Sequence, residues 1–132
     1  MAAITGKNTQ PEILVRRLAH SMGYRYRLHA KGLPGRPDVV FPGRRKIIEV
    51  RGCFWHRHPG CILAATPGTR PDFWQAKFQA TVARDIRNLA ALEASGWKVM
   101  VIWECEVKDA QLMDRLRMFL GPPRRSSEAR AC

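Results

Sequence analysis

The chain has 132 residues, which is enough for one compact domain with an ordinary hydrophobic core. Lysine and arginine number 23 against 11 acidic residues, and the net charge of +12 favours a polyanionic partner, with nucleic acid ahead of a membrane surface. No apolar run approaches the roughly 18 residues of a membrane span, and the first residues lack the apolar core of a signal peptide. The sequence therefore predicts a soluble, intracellular, monomeric protein with no membrane partner.

Hydrophobic periodicity predicts a mixture of helices and strands from residue 10 onward. In chain order, a helix is predicted at 10–22, a three-stranded meander at 24–28, 38–41 and 46–50, a loop at 52–71, a helix at 72–95, a strand at 97–103 and a helix at 109–120. The strand that follows the long helix is expected to be central in a mixed sheet. Residues 121–132 have the composition of a disordered basic tail. The prediction is thus a single α/β domain over residues 1–120, with helices flanking the sheet.

The long loop carries a set of potential metal ligands. Cys53, His58 and Cys61 fall within nine residues, and Cys105 follows the strand after the long helix. In a reducing compartment such cysteines are thiols or metal ligands, and three thiolates with one imidazole form a closed set for structural zinc. The alternative is that the cysteines are core thiols and His58 is a surface imidazole. The spacing favours a zinc site that fastens the loop to the sheet, with Cys132 incidental.

Acidic residues lie on two neighbouring strands of the predicted meander. Asp38 opens one strand and Glu49 lies on the next, so a hairpin brings the two carboxylates together. Carboxylate oxygens are ligands of Mg2+, which phosphodiester cleavage uses to hold the attacking water and the leaving oxygen. The pattern resembles that of the PD-(D/E)XK nucleases, with Arg51 in place of the lysine. Taken alone, the same residues also fit a simple strand opener at Asp38 and a solvated strand face at Glu49.

His56 and Glu12 are two further candidates for catalysis. His56 adds a second imidazole to the loop, and an imidazole with a pKa of about 6.5 can take a proton from water at neutral pH. Its alternative role is that of a spare zinc ligand. Glu12 fits a capping box, in which its carboxylate bonds the Thr9 amide, as well as it fits a catalytic role.

Five sequence strings resemble the very-short-patch repair (Vsr) endonuclease family. They are LPGRPD at 33–38, GCFWH at 52–56, TRPDFW at 69–74, ARDIRNLAALEASGW at 83–97 and VIWEC at 101–105, in the family's order and close to its spacing. The resemblance implies a restriction-endonuclease-like three-layer fold, a mixed central sheet flanked by helices with a zinc-stapled loop. It further implies magnesium-dependent nicking of one strand 5′ of the thymine in a T:G mismatch, which arises from deamination of 5-methylcytosine. Very short patch repair then implies double-stranded DNA as partner, mismatch-repair factors as further candidates, and a nucleoid-associated location in bacterial cytoplasm.

The same resemblance implies roles for individual residues. Asp38 corresponds to the family's magnesium aspartate, and Val50 to a residue whose backbone carbonyl is a second magnesium ligand. His56 corresponds to the catalytic histidine, and Glu12 to a helix glutamate that acts through water. The family's zinc ligands correspond to Cys53, His58, Cys61 and Cys105, with one extra residue within Pro59–Gly60.

Glu49 and Arg51 depart from the family, which usually has an aromatic residue and then a second active-site histidine here. Arg51 cannot act as an acid or base, but its charge can stabilise the pentacovalent phosphate. Glu49 could add a carboxylate to the magnesium site, so the chemistry is expected to lie nearer the general PD-(D/E)XK type. Met1 corresponds to an interior methionine of the family, so a short basic segment is expected to be missing before it.

Aromatic residues in the loop predict contact with DNA bases. Phe54 and Trp55 follow a zinc ligand in a loop expected to be exposed, and aromatic wedges unstack bases most cheaply at a mismatch. The resemblance adds Trp74 to this wedge. Core packing beneath a metal loop is the alternative for Phe54.

Polar residues of the long helix and of the LPGRPD string add further DNA-binding candidates. Lys77 and Thr81 lie one turn apart, at positions that contact bases in the family. Because Thr81 replaces an amide side chain there, the recognised sequence context is expected to differ. Arg36 is a third candidate, and Arg84 and Arg87 are expected phosphate contacts whose alternative is a solvated helix face.

Three functions remain open from the sequence. They are a mismatch-nicking endonuclease, a restriction-type or general PD-(D/E)XK endonuclease without mismatch specificity, and a zinc-stapled DNA-binding module without catalysis. The presence of Asp38, His56 and the aromatic loop in one chain favours the first.

Overall fold

A computed structural model describes residues 9–30, 32–65 and 67–123. Within these ranges the elements are helix α1 (Gln10–Ser21), strands β1 (Arg27–Leu28), β2 (Val39–Phe41) and β3 (Lys46–Arg51), helix α2 (Pro71–Ala94), strand β4 (Lys98–Trp103) and helix α3 (Leu112–Leu120). The order and type of the predicted elements are confirmed. The predicted tail residues 124–132 lie outside the described ranges.

The strands form one mixed sheet in the order β1-β2-β3-β4. The first three strands are an antiparallel meander, whereas β4 pairs with β3 in parallel after the crossover through α2. The expectation that β4 is central was wrong, because within the described residues β4 pairs only with β3 and ends the sheet. The central strand is β3, since it takes an antiparallel neighbour on one side and the parallel crossover strand on the other.

Helices pack against both faces of the sheet, as predicted for a mixed sheet flanked by helices. On one face, buried side chains of α1 and α3 pack against the sheet; they are Val15, Ala19, Leu112, Leu116 and Leu120, with Val39, Phe41, Ile48 and Ile102 from the strands. On the other face, Leu92 of α2 and Trp97 pack against Val40 and Ile47. Because successive strand residues point to opposite faces, Ile47 and Ile48 bury into different cores. The adjacent apolar residues Ile47 and Ile48 of β3 are consistent with this double burial.

The first strand is shorter than predicted, because Tyr24 completes the end of α1. The Tyr24 N–H donates to the Ala19 carbonyl at 3.1 Å, and Gly23 adopts a φ of 101°, a left-handed conformation that glycine adopts readily at a helix end. The Tyr24 side chain is fully buried, and its hydroxyl donates to the Gly121 carbonyl at 2.5 Å. The aromatic residue is thus a core residue after a helix and not part of the sheet.

The last described residues are attached to the body. Arg44 donates to the carbonyl oxygens of Leu120 at 2.6 Å and Pro122 at 3.1 Å. None of the described helices combines the length and the apolar character needed to cross a membrane.

Candidate active site and metal centre

A polar cleft of about 400 Å³ opens between α2, the end of β3 and the loop that leads into β2. Its lining is rich in charged and polar side chains and comprises His29, Gly35, Arg36, Pro37, Asp38, Glu49, Val50, Arg51, His56, Arg84, Asp85 and Asn88. The predicted catalytic residues are therefore brought together from the residue before β2, from β3 and from the loop after β3; they are Asp38, Glu49, Arg51 and His56. Such a concentration of titratable groups in one cleft is typical of an active site.

Asp38 is held at the base of this cleft by the hairpin. Its Oδ2 accepts a hydrogen bond of 3.0 Å from the Val50 N–H, so the aspartate is fixed directly to the residue expected to supply a carbonyl ligand. Burial raises the pKa of the Asp38 carboxyl to about 7, the neighbouring carboxylates of Glu12 and Glu49 act in the same direction, and the Val50 bond opposes them. A divalent cation beside the carboxyl would stabilise its charged form.

Glu12 lies at the same site and is 1% exposed. Its Oε2 accepts from Arg16 Nη1 at 3.0 Å and lies 2.8 Å from His29 Nε2. The Thr9 hydroxyl caps α1 by accepting from the Glu12 N–H at 3.4 Å. The glutamate carboxylate thus reaches into the site, while its backbone belongs to the helix cap.

His29 belongs to the cluster but was missed by the sequence analysis. Possible ligand atoms of Glu12, His29 and Asp38 all lie within 4.8 Å of one another. The signal that could have found it is the register of the hairpin: Leu28 pairs with Val39, so the next residue outward on each strand, His29 and Asp38, must be adjacent. The His29 N–H donates to the Asp38 carbonyl at 3.1 Å.

Glu49 and Arg51 form an ion pair on the α2 side of β3. Arg51 Nη2 lies 3.0 Å from Glu49 Oε1, and both side chains are largely buried, at 13% and 14% exposure. The two residues lie two positions apart, so they point to the same face of the strand. In the described part of the chain, Arg51 Nε is a buried nitrogen without a hydrogen-bond partner. The Arg51 guanidinium, whose Nε–H has no partner there, therefore lies in the same cleft as Asp38.

His56 is directed by an aspartate of α2. Its ring nitrogen Nδ1 lies 2.6 Å from Asp85 Oδ2. The backbone N–H of His56 donates to the Gly52 carbonyl at 3.1 Å. Asp85 was missed by the sequence analysis, although it lies seven residues from both Phe78 and Leu92, which are buried. An acidic residue on the inward stripe of a helix was the signal. The carboxylate keeps His56 in the cleft and apart from the four-ligand cluster of the loop, against the spare-ligand alternative.

That second cluster consists of Cys53, His58, Cys61 and Cys105, whose ligand atoms all lie within 4.8 Å of one another. Nδ1 of His58 lies 3.7 Å from Cys53 Sγ and 3.4 Å from Cys105 Sγ. In tetrahedral coordination, bonds of about 2.3 Å to sulfur and 2.0 Å to nitrogen place the sulfur and nitrogen ligands roughly 3.5 Å apart. The distances between His58 and the two cysteines therefore fit a shared metal ion. The four predicted ligand residues therefore lie together, in an arrangement that is compatible with a metal ion.

Neighbouring groups fix this cluster. The His58 ring stacks on Trp103 with centroids 4.3 Å apart, and Glu104 Oε1 accepts from the Cys53 N–H at 3.2 Å. Trp103 is the last residue of β4, and Glu104 and Cys105 are the two residues that follow it. A metal ion would thereby tie the loop to the edge of the sheet.

Aromatic rings gather beside the cleft where the loop meets the start of α2. Phe54 lies 5.1 Å from Trp55 and 5.6 Å from Trp74 between ring centroids, and Trp55 lies 5.7 Å from Trp74. Phe78 is buried beneath these rings, and Arg57 lies 3.9 Å from its ring centroid. The three predicted wedge residues are thus adjacent, each partly exposed, on a packed base. We call Phe54, Trp55, Trp74 and Phe78 the aromatic cluster.

The remaining DNA-binding candidates border the same region. Lys77 is exposed, and the Thr81 hydroxyl donates to the Lys77 carbonyl at 3.1 Å, so both lie on one face of α2. Arg36 is exposed at the rim of the cleft, where Arg84 also lies.

Comparison with known proteins gives the family. A family model described as DNA mismatch endonuclease Vsr matches residues 1–61. The DNA mismatch endonuclease Vsr of Escherichia coli is 36% identical over 126 residues, which cover 91% of this chain and 80% of that protein. The chain belongs to the Vsr family. It is a DNA endonuclease, since both the family and its relatives carry that activity.

Other Vsr relatives are named as nicking enzymes. The type II nicking enzyme V.XorIIP of Xanthomonas oryzae is 52% identical over 123 residues, covering 92% of this chain and 90% of that protein. The type II nicking enzyme V.NmeAIP of Neisseria meningitidis is 40% identical over 109 residues, covering 83% of this chain and 77% of the relative.

Gly35 should be required where the LPGRPD loop approaches α2. It has a φ of 75°, and an added Cβ would lie 2.6 Å from Asn88 Nδ2. We predict that Gly35→Ala lowers the free energy of unfolding by about 1–2 kcal/mol, because of the left-handed backbone and the displaced Asn88. Urea denaturation measures this change. Gly32→Ala is the matched control, because nothing lies within 4 Å of its added Cβ; equal losses for the two variants would contradict the prediction.

Proposed function

We propose that this endonuclease nicks one strand of double-stranded DNA on the 5′ side of the thymine in a T:G mismatch, using Mg2+. Membership of the Vsr family, combined with a cleft that joins Asp38, His56 and Arg51, carries the proposal. The relative from Escherichia coli is named a mismatch endonuclease, and others are named nicking enzymes. Such an enzyme would act on genomic DNA in very short patch repair, with mismatch-repair factors as candidate partners.

Mismatch selection is assigned to the aromatic cluster. Phe54, Trp55 and Trp74 meet at the surface beside the cleft, so their rings can insert together between base pairs. Insertion unstacks a base step at a cost of a few kcal/mol, which is smallest where the pair is already weakened. The buried Phe78 and the Arg57 guanidinium support the rings from below. Lys77, Thr81 and Arg36 would then contact bases and backbone around the opened step.

Asp38 and Glu12, with the Val50 carbonyl, form the hard oxygen set that suits Mg2+. When bound, the cation would polarise the scissile phosphate and favour ionisation of the attacking water. Asp38 is oriented for this role by the Val50 N–H, and Glu12 is held through Arg16 and His29. Glu49 lines the same cleft, where its carboxylate pairs with Arg51.

His56 is the proposed general base. With Asp85 accepting from Nδ1–H, the neutral ring presents an unprotonated Nε2 to the cleft. Nε2 takes a proton from the attacking water, the water oxygen forms a bond to phosphorus, and the bond to the leaving sugar oxygen breaks. Arg51 also lines the cleft, and its positive charge is proposed to stabilise the negative charge gained by the phosphate.

The four-ligand cluster of the loop is proposed to hold zinc in a structural role. Three cysteines and one histidine fill all four tetrahedral positions, so no position is left for substrate. The metal would instead fix the loop that presents Phe54, Trp55 and His56. Its contribution to DNA cleavage is therefore indirect.

A second candidate function is a restriction-type or general PD-(D/E)XK endonuclease without mismatch specificity. The Glu49–Arg51 pair favours it, because an acid and a cation two residues apart on the strand after Asp38 follow that pattern. Under this alternative, matched and mismatched duplexes would be cut at equal rates.

The first test is strand cleavage of paired duplexes that differ only in a central T:G or T:A pair. With Mg2+, we expect a single cut 5′ of the mismatched thymine and none in the matched duplex. Asp38→Asn should slow nicking by at least about a hundredfold, because a metal ligand is lost. Asp114→Asn, an exposed aspartate on α3, is the control and should nick at the parental rate. Equal cutting of both duplexes would replace the proposal with the general endonuclease.

Asp85→Asn tests the histidine pair. The amide can donate to Nδ1 and leave the proton on Nε2, so we expect nicking to fall by about 10²–10⁴-fold while DNA binding is retained. Single-turnover rates and a fluorescence binding titration measure the two effects. Glu93→Gln, which neutralises an exposed acid on the same helix, should change neither. A parental nicking rate in Asp85→Asn would rule out this role.

Zinc content can be measured directly. We expect one zinc ion per chain by mass spectrometry of the metal, and its loss in Cys61→Ser together with a melting temperature lowered by more than about 5 °C. Cys132→Ser is the matched control, since Cys132 is not one of the four predicted ligands, and should keep the zinc. The proposal would be contradicted if the parental protein contained no zinc and if Cys61→Ser had the same melting temperature as the parental protein.

A further inference from the structure

We propose that His29 is a ligand of the catalytic cation, together with Asp38 and Glu12, and that its nitrogen shifts the preference of the site from Mg2+ toward Mn2+. The inference rests on the proposed function, because it concerns the cation of the same cleft. It adds a ligand and a metal preference that neither the sequence motifs nor the family relationship supplied.

The register of the hairpin is the first support. Pairing of Leu28 with Val39 makes His29 the neighbour of Asp38, and the His29 N–H bonds the Asp38 carbonyl at 3.1 Å. His29 also has a φ of 47°, which is uncommon for a residue with a side chain. This conformation ends β1 and places the ring at the carboxylates. A backbone of this kind persists only where surrounding contacts hold it.

The distances within the cluster are the second support. His29 Nε2 lies 2.8 Å from Glu12 Oε2, and one ligand atom each from Glu12, His29 and Asp38 lie within 4.8 Å of one another. Neighbouring ligands of an octahedral cation with bonds of about 2.1 Å are separated by roughly 3 Å. Small side-chain shifts would therefore suffice to bind an ion between the three groups.

The burial of these groups is the third support. The side chain of Glu12 is 2% exposed and that of His29 is 17% exposed. The three residues come from α1, from the segment after β1 and from the residue before β2, so the fold and not local sequence assembles them. Bringing two carboxylates together at a buried site has an electrostatic cost that a bound divalent cation offsets.

The competing role for His29 is that of a hydrogen-bond donor that only positions Glu12. The two roles predict different metal chemistry. Mg2+ requires oxygen ligands and retains its water, whereas transition-metal cations accept imidazole nitrogen readily. A nitrogen ligand therefore favours Mn2+ over Mg2+, but a positioning residue would affect the binding of the two cations equally.

The experiment uses the full chain with its loop cluster loaded with zinc, and Mn2+ as the probe. Pulsed electron paramagnetic resonance of bound Mn2+ detects coupling to a directly bound imidazole nitrogen. We expect this coupling in the parental protein and its loss in His29→Gln, whose amide can still bond Glu12. It should persist in His56→Gln and in His20→Gln, the latter being an exposed histidine on α1.

Calorimetric titration supplies the second readout. His29→Gln should weaken Mn2+ binding by about tenfold or more and Mg2+ binding by clearly less. Asp38→Asn should weaken both, which locates the ion in this cleft.

Three results would overturn the inference: no nitrogen coupling in the parental protein, coupling that survives in His29→Gln, or an equal loss of Mn2+ and Mg2+ affinity in that variant. None of these measurements uses DNA cleavage. If the coupling depends on His29 while T:G duplexes are not nicked, the ligand assignment stands and the proposed function fails. If T:G duplexes are nicked without any such coupling, the proposed function stands and the ligand assignment fails.

Discussion

The pairing of β2 with β3 is the constraint on which the rest of this molecule depends. Its register sets Val39 opposite Ile48, so alternate residues of each strand enter the two cores. The same register carries Asp38 to the Val50 N–H, beyond the last regular pair. A slip of one residue would move every side chain to the opposite face and separate the carboxylate from its partners. Stability and catalytic geometry therefore come from one set of backbone hydrogen bonds.

The two candidate metal sites lie on either side of the end of β3 and serve different purposes. The cleft keeps oxygen and imidazole groups open toward solvent, beside the largely buried guanidinium of Arg51. The loop cluster closes four ligands around one point and is supported by Trp103 and Glu104. Between them the loop carries His56 into the cleft and Phe54 and Trp55 into the aromatic cluster. Under the proposed function, a metal that fixes this loop would also fix the residues that contact DNA.

The cleft carries a positively charged residue, Arg51, on the strand that follows Asp38. A histidine in that place could exchange a proton, whereas Arg51 can supply only charge and hydrogen bonds. In the proposed mechanism, proton transfer is left to His56, whose ring contacts Asp85 of α2. The ion pair with Glu49 keeps the buried guanidinium partnered, and the unpartnered Nε remains as its free donor within the described residues. The proposed mechanism therefore needs proton transfer only to His56 and charge only from Arg51.

The sequence by itself determined the element order, the candidate metal ligands of the loop and the acidic pair of the hairpin, because these depend on local periodicity and spacing. Only tertiary structure decided that β4 lies at the edge of the sheet, since strand order depends on which faces the helices cover. Tertiary structure also brought in His29 and Asp85, whose roles arise from partners 17 and 29 residues away, at Glu12 and His56. Local alternation predicts Tyr24 in a strand, because it cannot reveal that the Tyr24 N–H bonds the Ala19 carbonyl at the end of α1. Local patterns thus fixed which groups are available, and packing between distant segments decided which of them meet.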